Sequence, residues 1–206
     1  MSGRLIGSSR WARSRRGSLL GLSAAFAFSG VAVAAGSVSF DGSPGTNAPP
    51  ARLGGLQMTK FGRDHRRLGR QVTSVTGPTG KLFFSLKLIH FRVKRASWAT
   101  WSNRYHGDVY FAPATVTITL PAKTDAFYLY AEPNDQRRFK ITAKSGGTSS
   151  GPVRVRGKGG AKYFGFGAPA GASLTSVTVS SNDTFNRRRH QSGGFAIGEF
   201  GIHGQP

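Results

Sequence analysis

The chain has 206 residues and no cysteine, which excludes disulfides, thiolate metal sites and a cysteine-linked lipid anchor. Its formal net charge is +21, from 29 Lys and Arg against 8 Asp and Glu. Five of those cations fall in the first 16 positions, so the rest of the chain still sets 24 cations against 8 carboxylates and should attract polyanions. The length suits one domain, stabilised by burial alone.

The first segment reads as an address. Arg4, Arg10, Arg13, Arg15 and Arg16 precede an apolar stretch at 19–35, which at 17 residues is short for a membrane span. It ends in Ala32-Val33-Ala34, the small-x-small pattern that signal peptidase accepts. Residues 1–34 are therefore expected to be a signal peptide, cleaved after Ala34. The mature protein would be secreted, extracellular or in the cell envelope, with no transmembrane span after cleavage. Ser14-Arg15-Arg16 resembles a twin-arginine export signal, although Ser18 stands where a large apolar residue is usual. The general and twin-arginine routes both stay open.

Residues 35–80 are rich in Gly, Pro, Ser, Thr and Arg and are punctuated by Pro49-Pro50, Gly54-Gly55 and Gly77-Pro78. They are expected to be a mostly irregular, partly disordered basic lead. Lys60, Arg63, Arg66, Arg67 and Arg70 face only Asp64 within it. The folded domain is expected over 81–206.

There the apolar residues follow a period of two. Residues 82–89 form a first strand, apolar on both faces, and 108–111 a second. Val116, Ile118 and Leu120 alternate with Thr115, Thr117 and Thr119; Phe139, Ile141 and Ala143 alternate with Arg138, Lys140, Thr142 and Lys144; Val153 and Val155 alternate with Arg154 and Arg156. Further strands are expected at 126–132, 163–166, 174–180 and 194–202, with Gly, Pro, Asn and Asp clusters between them. Such short, regularly spaced strands, with no helical period, predict an all-β antiparallel sandwich or jelly roll.

Two surfaces are candidates for binding. Trp98, Trp101, Tyr105, Tyr128 and Tyr130 are large amphipathic rings of the kind that stack on sugar faces when exposed, and that fill cores when not. Arg138, Lys140 and Lys144 share one strand face, and Arg154, Arg156 and Lys158 share another. Paired as a hairpin, they would gather six cations on one solvent face, a costly arrangement that suits an anionic partner. Cell-wall or extracellular glycans and other polyanions are the partners this implies, including teichoic or uronic polymers, anionic lipids and extracellular DNA.

Catalytic chemistry finds little support. Glu132 and Glu199 lie in apolar runs and are expected to be buried beside an Arg rather than across a cleft. Glu132, Asn134 and Asp135, with Asp108 or Asp183, offer hard oxygens for calcium, but they are few in a positive field. The five histidines lack zinc spacing, and there is no nucleophile elbow or phosphate loop. No cofactor or catalytic residue is assigned.

Trp98-Ala99-Thr100-Trp101-Ser102, Tyr105, Gly107-Asp108-Val109-Tyr110, the run from Ala126 to Asn134, Tyr163-Phe164-Gly165-Phe166 and the run from Gly194 to Ile202 form a set. Over residues 97–202 this set resembles a family of exported bacterial β-sandwich proteins of uncharacterised activity. It also resembles, more loosely, jelly-roll ectodomains and carbohydrate-binding modules. Arg187-Arg188-Arg189-His190 departs from the pattern. The resemblance implies the fold and a non-catalytic role as a surface or carbohydrate-binding module; a structural or polyanion-binding envelope protein is the alternative.

Overall fold

The computed structural model describes residues 36–94, 97–183 and 193–204. The expected signal peptide and Arg187 to His190 lie outside the described residues. Those described are all-β and antiparallel, and no helix among them is long and apolar enough to cross a membrane.

The organising element is β8 (Val116–Pro133), 18 residues long. Its first part runs between β13 (Leu174–Ser181) and β6 (Gly80–Arg92), and its second between β12 (Lys162–Gly167) and β14 (Phe195–Gly204). The neighbours change because the strand leaves one layer of a sandwich and enters the other. Two separate strands were expected here, at 116–120 and 126–132. Pro121 does interrupt the ladder, having no N–H to give. The chain nevertheless continues through a bend, with Lys123 at φ 57° and the Thr124 hydroxyl donating to the Pro121 carbonyl at 2.7 Å.

One layer, sheet I, contains β1 (Ser39–Asp41), β12, the second part of β8, β14, and then β7 (Asp108–Ala112) beside the end of β6. The other, sheet II, contains β9 (Arg138–Ser145) with β10 (Thr148–Ser149) and β11 (Val153–Arg156) at its edge. It continues through β13, the first part of β8, the start of β6 and β5 (Gln71–Gly77). The alternation read from the sequence sets the inner faces. Val116, Ile118, Phe127, Leu129, Ile141, Phe164, Val177 and Ile197 are fully buried between the sheets.

The stretch expected to be irregular is folded onto this frame. Besides β1 and β5, residues 36–80 supply β2 (Arg52–Leu53), β3 (Leu56–Gln57) and β4 (Thr59–Lys60). Gly54 and Gly55, both at positive φ, close a two-residue turn between β2 and β3, the use to which such glycines are suited. Leu53 and Met58 are buried in a second core, and Phe61 meets Phe200 edge-on at 5.6 Å. Few large apolar residues suffice here because each has a surface on the sandwich to cover. A boundary at 80/81 would cut the β5–β6 hairpin, whose register runs to Gly77 opposite Gly80.

Candidate functional site

Four of the five candidate rings belong to that second core, and Tyr105, partly buried, packs against it. Tyr128 and Tyr130 point outward from sheet I, on the face opposite Phe127 and Leu129, yet both are fully buried. Leu53 and Met58 from the lead, and Val93, Trp98 and Trp101 from the connection after β6, cover them. Tyr163 packs on Tyr128 at 5.2 Å and edge-on to Tyr130 at 5.5 Å. Trp98 (9% exposed) sits between Phe91 and Phe111, and Trp101 (8%) against Tyr105. Of the two readings of these rings, stacking surface or core, burial supports the core: they hold the lead and the 97–105 connection against sheet I. Period-two alternation distinguishes the two faces of a strand, but it does not say which face a distant segment will cover.

The expectation for the two buried glutamates is corrected. Neither Glu132 nor Glu199 stands within ion-pair distance of a cation among the described residues; a tryptophan indole holds each instead. Trp98 Nε1 donates to Glu132 at 3.0 Å, aided by the Gly160 N–H at 3.1 Å and the Thr100 hydroxyl. Trp101 Nε1 and Asn103 Nδ2 each donate to Glu199 at 3.1 Å. Burial pushes both carboxyls above the ordinary glutamate value, and these donors offset part of the rise. Glu199, at φ 50°, occupies a bulge in β14, between the Gly198–Tyr130 and Gly201–Tyr128 pairings. The calcium set is not assembled. Glu132 is committed to its indole, Asp135 to Arg137 at 3.0 Å and Asp108 to the cluster described next. No group of three His, Cys, Asp or Glu suited to a metal occurs among the described residues.

A further charged cluster had no signal in the spacing. Asp108 on β7 accepts from Arg92 Nε at 2.9 Å and from its Nη2 at 2.6 Å, from His90 Nε2 at 3.0 Å, and from the Asp64 N–H at 2.7 Å. Asp64 in turn accepts from Tyr110 Oη at 2.9 Å and pairs with Arg66. Four of these residues are β-paired neighbours, Arg92 opposite Asp108 and His90 opposite Tyr110. Asp64 arrives from the lead, so the cluster pins 62–66 to the end of sheet I.

The basic stripe is assembled as the hairpin expectation required. Arg156 stands opposite Arg138, and Arg154 opposite Lys140, in the β9–β11 pair. Lys144 lies on the same face of β9, and Lys158 follows in the turn after β11; all six are exposed. None is ion-paired among the described residues. The turn that carries Lys158 depends on glycine. A Cβ on Gly157 would lie 1.8 Å from the Asp135 carbonyl oxygen, and Gly159 has φ 70°. A shallow depression of about 400 Å³ opens here, lined by Arg138, Arg154, Arg156, Lys158 and Lys162.

No family model matches the chain, and no curated protein matches it.

Proposed function

We propose that this is an exported, non-catalytic binding module that retains an anionic polymer of the cell wall or extracellular space on the β9–β11 face. The observation that carries the reading is the direct opposition of Arg138 to Arg156 and of Lys140 to Arg154. Like charges opposed across strands are unfavourable, and no acidic residue on either strand relieves them. A bound polyanion would relieve them. The export component is supported by the arginine-rich lead and the 19–35 stretch. For that component, N-terminal sequencing of protein recovered outside the cell should begin at Ala35. An extracellular product beginning at Met1 would refute signal cleavage.

The binding component predicts a defined response to salt. Changing Arg138, Lys140, Arg154 and Arg156 together to Gln should weaken retention on immobilised polygalacturonate or polyphosphate. The slope of log K against log salt should flatten by roughly 0.7 for each cation engaged, as for flexible single-stranded polyanions. Stability should hold within about 0.5 kcal/mol per exposed change. Unchanged retention and slope in a folded variant would remove this face as the site.

A further inference from the structure

Sheet II turns one broad face to solvent, and its residues are of three kinds. The β9–β11 cations occupy one edge. Beside them runs a strip of hydroxyls, in which Lys144 is paired with Thr178, Thr178 with Thr117, and Ser176 with Thr119. Thr117 and Thr178 are joined through their Oγ1 atoms at 2.9 Å. The strip ends at Phe83, paired with Thr119 on β8 and Ser74 on β5. Phe83 is 53% exposed, the one large apolar side chain exposed among the described residues. Its neighbour Phe84 points inward to the core. Lys81, two residues before Phe83 on the same face, is also exposed.

The strands of this sheet contain no acidic residue anywhere: not β5, the first part of β6 or of β8, β9, β10, β11 or β13. Across strands about 4.8 Å apart, Phe83 and Lys144 are separated by roughly 16 Å. Cations, a hydroxyl strip and one open ring therefore follow one another across a single solvent face.

We infer that the polymer held by the basic hairpin runs across this face to Phe83, and that it is an acidic polysaccharide. The inference rests on the polyanion reading above and specifies its ligand. A sugar chain bearing carboxylates or sulfates matches all three kinds of group. Its anionic substituents meet the Arg and Lys side chains, its hydroxyls meet Thr and Ser groups that both donate and accept, and a pyranose C–H face lies on Phe83. A single-stranded nucleic acid would match less of the surface, because its bases call for several stacking rings in succession and the face supplies one.

The test uses the mature chain with Phe83→Ala and Phe83→Leu, the second keeping apolar bulk while removing the ring. The probes are a polygalacturonate oligomer and a poly-dT oligomer of equal charge, each titrated at several salt concentrations. The inference expects wild type to prefer polygalacturonate, and both variants to bind it about tenfold more weakly at every salt concentration, with the salt slope unchanged. Wild-type polygalacturonate affinity in both Phe83 variants, with binding still lost in the Arg138, Lys140, Arg154 and Arg156 variant, overturns the path across sheet II and leaves the polyanion reading standing. Tighter binding of poly-dT, weakened by loss of the ring, overturns the polysaccharide assignment. Failure of wild type to bind either probe overturns the polyanion reading itself.

Discussion

Tyr128→Ala is expected to destabilise the protein by about 3–5 kcal/mol, the range for truncating a fully buried large aromatic. For a domain of this size the melting midpoint should fall by roughly 10 °C. The ring is fully buried, and Tyr163 packs on it. It also occupies the space above Gly201, where a Cβ would come within 2.2 Å of its Cε1. Tyr128 is paired on both sides, to Gly165 and to Gly201, and these flanking strand residues are poorly placed to collapse into the space left behind. Tyr128→Phe supplies the control. The Tyr128 hydroxyl is buried without a hydrogen-bond partner among the described protein groups, so losing it should be neutral or slightly stabilising. Thermal and urea unfolding of the two variants tests the assignment. An Ala variant as stable as wild type would mean that the ring is open to solvent, and would return Tyr128 to the candidate ligand surface.

The strands of sheet II were legible because one face of each is buried against the opposite sheet and the other is not. Val116, Ile118 and Leu120 on β8, and Ile141 and Ala143 on β9, carry that contrast in their spacing. The basic hairpin was legible for the same reason: alternation placed Arg138, Lys140, Arg154 and Arg156 on the solvent side before any pairing was known. The second core was not. On the second part of β8 both faces are buried, and nothing within the strand distinguishes a tyrosine beneath a covering loop from one in water. The cover comes from Leu53, Met58 and the two tryptophans, which are remote in sequence from Tyr128 or joined to it only through the fold. Phe83 shows the converse. The run Leu82-Phe83-Phe84 reads as apolar on both faces, and only the pairing of β6 with β8 and β5 leaves one of its rings outside. Glu132 and Glu199 were expected beside arginines because buried charge needs a partner. Indole, amide and hydroxyl donors serve instead, and sequence spacing does not single these out.

Asp108→Ala is expected to cost about 3–5 kcal/mol, because it leaves charged and polar groups in place without their partner. Arg92 would lose both guanidinium contacts to Asp108 and keep only the one to the Asp64 carbonyl at 3.0 Å, fully buried His90 would lose its Nε2 acceptor, and the Asp64 N–H its acceptor at 2.7 Å. The penalty belongs to the broken cluster rather than to the carboxylate alone, so adding Arg92→Leu to Asp108→Ala should recover part of it. Urea midpoints at constant m-value give the coupling from the four-variant cycle. The same cluster sets a response to acid. Burial alone would raise the Asp64 carboxyl, but the Arg66 side chain and backbone and the Tyr110 hydroxyl outweigh it and hold the group well below the ordinary aspartate value. A depressed folded value means that the contribution of Asp64 is complete above the unfolded aspartate value of about 3.9 and is lost as pH falls through the folded one. Asp64→Asn should therefore lower stability at neutral pH and flatten the acid limb of the stability profile. If Asp108→Ala costs less than about 1 kcal/mol, or Asp64→Asn leaves the acid limb as steep as in wild type, the cluster does not pin the lead to sheet I.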